Sequence, residues 1–356
     1  MPLLTLIDLP MSPMGKIGFP WTEASPPQYI PENLPKISII TPSFNQGKFI
    51  EETIRSVLLQ GYPNLEYIII DGGSTDETIE IIKKYSDFIS YWVSEKDNGQ
   101  SDAINKGLKK ATGEVFNWLN SDDYYLPDAL LTVGQAFKEK AEMNVFCGRE
   151  VVLLPNGNLM NLNSTTTILP TLEATIAIGN FCQPPTFFRL IALRQLGDLS
   201  DKLHFCMDAD LWLRYLTKFG LENVQQSPKV LNVFRIHPQA KSSNAKKIYY
   251  ADRFNLLMAL VNNSQFATNF PTRFLKDNAI FTIYFNQSYP LSNINEKWLL
   301  LQIAEQLLNY YSQFMSWRAF FDLYIYSFRQ LPYGRKRRFY LSPLIKFKRL
   351  FRPITF

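Results

Sequence analysis

The chain has 356 residues, a formal charge of +5 and an apolar fraction of 46%. That length suits one large domain or a domain with an appendage, and a charge this small gives no ground for a nucleic-acid partner. Three cysteines, Cys147, Cys182 and Cys206, show neither CxxC nor metal-ligand spacing, which argues for a reducing compartment over a disulfide scaffold. No basic segment followed by an apolar core opens the chain, and no run of about 18 apolar residues occurs. The expectation is a cytoplasmic protein without a signal peptide or a transmembrane helix.

Residues 1–35 carry eight prolines, which remove donors and fix φ, so an extended arm is expected there. Its Phe19-Pro20-Trp21 cluster either packs on the body or stays in solvent. From Lys36 the pattern alternates. Strands are expected over 36–41, 65–70, 89–93 and 115–119, and helices over 49–60, from about 74 to 85, over 102–111 and over 127–140. The alternation defines an α/β sheet with right-handed crossovers. Strands follow over 144–153 and around Met160, flanking the Pro155-Asn156-Gly157-Asn158 turn. Beyond Leu169 come a helix over 171–178, an extended piece ending at Arg189, a helix opening at Met207 and a last strand over 229–236. From Lys246 onward helices are expected over 246–263, 271–286, 295–313 and 316–329.

The apolar strands read as buried and parallel, so their C-terminal ends share one edge, where ligands bind in such sheets. Thr41 to Asn45, Asp71 to Asp76 and Asp122-Asp123 meet there. Adjacent carboxylates at Asp122 and Asp123 repel each other, which a divalent cation bridging to a diphosphate would relieve. A solvated turn before a helix suits the same dipeptide. Asp71, followed by Gly72-Gly73, puts a carboxylate where backbone approaches closely and where a ribose hydroxyl or a base N–H would donate. A simple cap suits it too, and Asp76 more so. The polar run from Asp97 to Gly107, with Asp102 and Lys106, precedes a helix whose N-terminus suits an anion. It reads equally as a capped loop. Asp208 and Asp210 open a helix, either as a general base for an incoming hydroxyl or as charges matched to the helix dipole. His237 follows a strand and precedes a Lys-Ser-Ser run that suits a diphosphate. There is no GxxxxGK[ST], GxGxxG or GxSxG in the chain, so a P-loop ATPase, a dinucleotide enzyme or an α/β-hydrolase has no motif support.

Thr41-Pro-Ser-Phe-Asn45, Asp71-Gly-Gly-Ser-Thr-Asp76, the Glu95 to Gly107 segment, Asn120-Ser-Asp-Asp123, Gln183-Pro-Pro-Thr-Phe-Phe-Arg189 and Met207-Asp-Ala-Asp-Leu-Trp-Leu-Arg214 occur in an order that resembles the family 2 glycosyltransferases, inverting enzymes of GT-A fold. The resemblance covers about residues 36–240. It implies an α/β fold, a mostly parallel Rossmann-like sheet flanked by helices, with a helical C-terminal extension. The implied organisation is a Pro-rich arm over 1–35, a GT-A domain over 36–240 and a helical region with a basic aromatic tail over 245–356.

The same resemblance implies a nucleotide-diphosphate sugar donor, with uridine favoured, and Mg²⁺ or Mn²⁺. By position Thr41, Pro42, Asn45, Asp71, Gly72, Asp102, Lys106, Ser121 and Asp122 bind the nucleotide sugar. Asp123, Asp122 and His237 hold the metal, with Asn120-Ser-Asp-Asp123 as the version of the DxD motif. Asp208 is the catalytic base, although Met207 stands where Glu is common. Gln183, Arg189, Asp210 and Trp212 face the acceptor. The QxxRW motif of processive members is absent, so one hexose per encounter is expected. The acceptor is expected to be a glycan or a lipid-linked sugar in cell-surface polysaccharide assembly. Between Gln330 and Phe356 lie eight Lys or Arg and no acid. That tail suits either an anionic membrane at the inner face of the cell or free solution. Two rivals are a sugar-phosphate nucleotidyltransferase, disfavoured by a strand-one loop without Arg or a Gly-rich run, and a non-catalytic nucleotide- or glycan-binding GT-A module.

Overall fold

The computed structural model describes residues 3–24, 30–241 and 246–330. The basic tail beyond Gln330 and the two serines after Lys241 lie outside the described residues. The strands run β1 (Ile37–Ser43), β2 (Leu65–Asp71), β3 (Tyr91–Ser94), β4 (Val115–Trp118), β5 (Tyr124–Tyr125), β6 (Val145–Leu153), β7 (Leu159–Ser164), β8 (Thr186–Arg189) and β9 (Val224–Arg235). Helices α1 (Ile50–Leu58), α2 (Thr78–Lys84), α3 (Gln100–Lys110), α4 (Ala129–Glu139), α5 (Leu172–Ile178), α6 (Leu190–Arg194) and α7 (Met207–Phe219) alternate with them. The chain ends its described part on α8 (Lys246–Asn263), α9 (Glu296–Tyr310) and α10 (Trp317–Gln330).

Two compact units result. The first comprises residues 1–166, 181–201 and 221–244, and the second 167–180, 202–220 and 245–356. The first holds a nine-stranded sheet in the order β3-β2-β1-β4-β8-β6-β9-β5, with β7 paired to β6. β1, β2 and β4 are buried along their whole length. Ile-rich strands covered on both faces are what a parallel sheet demands, and β3-β2-β1-β4 is parallel throughout. At β8 the direction reverses, so the sheet is mixed: β8 runs antiparallel to both β4 and β6, and β6 parallel to β9. Gly107 lets α3 lie on β1, because a Cβ there would sit 2.7 Å from Ile40 Cγ2.

The N-terminal arm packs on this unit. Arg55, 1% exposed on α1, donates to the carbonyls of Pro10, Pro20 and Trp21 at 2.8–3.2 Å. Prolines leave carbonyls without the donors of a regular ladder, and one buried guanidinium serves three of them.

The second unit is helical. Asp210, Arg214 and Tyr289 form its buried polar centre: Arg214 Nε donates to Asp210 Oδ2 at 2.9 Å, its Nη2 lies 2.8 Å from the same oxygen as an ion pair, and Tyr289 Oη donates to Oδ1 at 2.7 Å. Phe254, Phe274, Phe281 and Tyr311 pack edge to face and tilted around α8. The helix expected over 271–286 is replaced by two short 3₁₀ turns, Arg273–Lys276 and Ala279–Phe281. Side chains do what helical backbone groups would: Asn255 Oδ1 accepts from Tyr284 N and Phe285 N, and Asn263 Nδ2 donates to Gln287 O. Among the described residues no helix is long and apolar enough to cross a membrane.

Candidate functional site

Register fixes where the site must be. Ser43 pairs with Asp71 and Asp71 with Ser94, so β1, β2 and β3 end level with one another. The loops after these strands and after β4 therefore leave the sheet at one edge, the usual ligand crevice of a parallel sheet.

Thr41 is buried and its hydroxyl meets Tyr67 Oη at 3.1 Å. After Pro42, Asn45 adopts φ 52°, a left-handed conformation that Asn tolerates. Its N–H donates to Ser74 Oγ at 2.7 Å, and its Oδ1 accepts from Thr75 N at 2.9 Å. The loops after β1 and β2 are thereby tied into one wall. Asp71 is fully buried. Its Oδ2 accepts from Gly73 N, Ser74 N and Ser94 Oγ, and its Oδ1 from Ser74 Oγ. So many internal donors make it the residue that shapes this wall. Gly72 allows the Asp97 carboxylate against the backbone, 2.7 Å from where a Cβ would be. Burial pushes Asp97 above the usual carboxylate range. Sequence reasoning placed Asp97 only within a polar run; its contact with Gly72 depends on the fold.

Two further polar atoms in this wall went unnoticed in the sequence. Among the described residues, Ser43 Oγ and Gln46 Oε1 are buried without a hydrogen-bond partner. Buried orphans of this kind are uncommon and point to a ligand or water. Farther along, Asp102 accepts from Asn98 N at 3.0 Å, and Lys106 lies 2.9 Å from Glu95 and 3.5 Å from Asp102. Glu95 leads the causes that raise the Lys106 ammonium pKa.

The loop after β4 carries Ser121, Asp122 and Asp123. Thr53 on α1 donates bifurcated bonds to Ser121 O and Asp123 O, at 2.9 and 2.6 Å, and so fixes the turn. Asp123 is 1% exposed. It accepts from Arg235 N at 2.9 Å and from Asn120 Nδ2 at 3.3 Å. Burial first, and the neighbouring Asp122 charge next, push its carboxyl well above the ordinary range. Asp122 is more open, and its Oδ2 lies 3.0 Å from His237 Nε2. The imidazole in turn rests on the Phe49 ring at 4.4 Å.

The three expected metal ligands do not converge: among the described residues no group of three or more His, Cys, Asp or Glu is placed to hold one ion. Asp122 and His237 nevertheless fit one edge of such a site. The pair is hydrogen-bonded at 3.0 Å, and loss of that shared proton would leave both atoms as ligands on the same side of the loop. An oxygen and an imidazole nitrogen suit Mn²⁺ or Mg²⁺ completed by water and phosphate. Asp123, the third expected ligand, is buried beside them and accepts from Arg235 N.

Four expected acceptor-side residues have structural places. Gln183 is buried and donates to Asn117 Oδ1 and Trp118 O. Arg189 pairs with Val115 at the start of β4, the end opposite the crevice, and its Nε donates to Met143 O. In the second unit, Asp210 is locked to Arg214 and Tyr289, and Trp212 is buried against Tyr215. Asp208, one turn earlier on α7, remains half-buried, and its Oδ1 accepts from Ala209 N.

A parallel β3-β2-β1-β4 core extended by a mixed half, with polar loops at its strand ends, is a GT-A-type glycosyltransferase fold. The S. aureus TarS structure of residues 1–349 in complex with UDP-GlcNAc superimposes with a TM-score of 0.57, covering 88% of this chain and 92% of that one at 16% identity. That likeness carries the fold alone.

Residues 38–197 match the family model described as glycosyl transferase family 2. An uncharacterized glycosyltransferase of Rickettsia typhi is 29% identical over 223 residues, which are 59% of this chain and 67% of the relative. One of Rickettsia conorii is 27% identical over 219 residues, 58% of this chain but 35% of the relative.

Proposed function

We propose that this chain moves one hexose from a nucleotide-diphosphate sugar to an acceptor hydroxyl, with inversion at C1. The observation that carries the reading is the Asp122–His237 pair at the shared strand edge, 3.0 Å apart. Asn45, Gly72 and Asp97, with the orphaned Ser43 Oγ and Gln46 Oε1, line the nucleoside wall that Asp71 shapes. Asp102 and Lys106 stand at its rim, where Lys106 offsets the donor's charge. Asp122 and His237 would hold a divalent ion, which would stabilise charge on the leaving diphosphate. Asp123 and Ser121 keep the loop in place through Arg235 and Thr53. Asp208, the less buried acid of its helix, removes the proton from the attacking hydroxyl, which displaces the diphosphate from the opposite face.

TarS was solved with UDP-GlcNAc, so uridine donors come first in a screen. The acceptor we propose is a glycan or lipid-linked sugar of the cell surface. The basic tail beyond Gln330 would bring the enzyme to the inner face of the membrane. The test is to incubate the protein with Mn²⁺, a panel of UDP- and GDP-sugars and simple glycoside acceptors, and to follow nucleoside diphosphate release and product anomeric configuration by NMR. Release from one donor with an inverted product supports the reading. Binding without any transfer or hydrolysis would favour a non-catalytic module.

A further inference from the structure

The second unit contains a cavity of about 370 Å³ lined by Lys202, His204, Lys247, Ile248, Ala251, Ala279, Ile280 and Tyr284. Three of these side chains can carry positive charge and none is acidic. The cations stand on two separate pieces of chain: Lys202 and His204 on the loop before α7, and Lys247 on the first turn of α8. Ala251 and Ile280 supply an apolar floor, and the half-exposed Ile248 and Tyr284 flank it.

This cavity is held in shape by two buried polar residues of α8. Asp252 accepts from Phe205 N at 2.7 Å and from Tyr284 Oη, so it joins the 202–205 loop to the opposite wall. Asn255 accepts from Tyr284 N and Phe285 N at 2.8 and 3.1 Å and donates to Thr282 O at 3.1 Å. Both are fully buried. Pinned walls fix the backbone that carries the three exposed cations, which lowers part of the ordering cost of binding. Two lysines and an imidazole around a small cavity suit a phosphate, to which charge-assisted hydrogen bonds are strong. An aromatic face beside them suits the apolar face of a sugar ring.

We propose that this cavity is a subsite for a sugar bearing a phosphate ester. Its place in the reaction rests on the sugar-transferase reading: the same loop leads from His204 into α7 and Asp208, so the phosphosugar belongs to the acceptor. Lys202, His204 and Lys247 hold the phosphate, and Tyr284 supports the ring. Such a group is found within phosphate-linked glycans and at the head of lipid-linked sugars alike.

The test is calorimetric titration of the full chain with α-D-glucose 1-phosphate, its octyl phosphodiester, free glucose and inorganic phosphate, with UDP present to fill the proposed donor site. The phosphosugar should bind and free glucose should not. Lys202→Gln/Lys247→Gln should weaken binding at least about tenfold. Asp122→Ala should leave it unchanged, so a failure of the donor-site reading would not touch this one. Tighter binding of the octyl diester would assign the group to a lipid-linked acceptor, and equal binding to a glycan. Absence of phosphosugar binding, undiminished affinity in the double variant of native thermal stability, or competition by UDP would overturn the proposal.

Discussion

His237 Nε2 and Asp122 Oδ2 lie 3.0 Å apart although 115 positions separate them in the chain. β9 delivers the histidine and β4 the aspartate, and the N–H of Arg235, at the end of β9, closes onto Asp123 beside them. Chelation with EDTA should therefore abolish donor turnover and Mn²⁺ should restore it. His237→Ala should raise the Mn²⁺ concentration needed for half-maximal turnover about tenfold or more. A turnover assay across a Mn²⁺ series reads this directly; an unchanged metal requirement would remove His237 from the site.

The two acids of α7 should separate by phenotype. Asp208→Asn should lower kcat by about a hundredfold or more while donor binding persists, as expected for loss of a general base. Asp210→Asn removes the charge that Arg214 and Tyr289 share in the interior. It should cost about 3 kcal/mol of stability, because a buried ion pair missing one charge is strongly unfavourable. Kinetics for the first and denaturant unfolding for the second distinguish the roles.

Glu66 sets an acid limit on stability. Burial opposes its charge, yet Lys36, Ser38 and the Thr112 hydroxyl and N–H all donate to it and hold its carboxyl near a pKa of about 2. A carboxyl depressed in the folded state contributes stability that is full above its unfolded value, about 4.5. That contribution is lost as pH falls toward 2. Glu66→Gln should cost up to about 3 kcal/mol at pH 7 and flatten the unfolding profile below pH 4.5. Turnover at pH 7 should hold wherever the variant is folded, since Glu66 sits at the start of β2, away from the crevice.

The N-terminal arm depends on one side chain. Arg55→Ala removes three bonds to arm carbonyls and leaves the buried Pro20 carbonyl without its donor, while Trp21 O keeps the Ser12 hydroxyl. A cost of about 3 kcal/mol and faster proteolytic cleavage within residues 9–24 are expected. Unchanged protection from protease would show that Leu9 and Trp21 hold the arm by packing alone.

Much of the crevice was legible in the sequence because Ile-rich runs of strand length end in polar turns, and a parallel sheet aligns such ends. The helix over 271–286 was not: its apolar spacing is genuine, but Asn255 and Asn263 on a different element satisfy its backbone. The contacts of Asp71 and the position of Arg189 were also hidden. A motif gives residue type and order, whereas register put Arg189 opposite Val115 and loop geometry turned four donors onto Asp71. Asp122 and Asp123 look equivalent as a dipeptide, and only the turn fixed by Thr53 makes one open and the other sealed.

The most direct measurement of the metal-assisted donor site is calorimetry of UDP binding with and without Mn²⁺, on the wild type, Asp122→Ala and Asp123→Asn. The account predicts binding that requires Mn²⁺, at least about a tenfold loss in Asp122→Ala, and a smaller loss in Asp123→Asn. UDP binding that ignores Mn²⁺, or that survives Asp122→Ala unchanged in a folded protein, would contradict it.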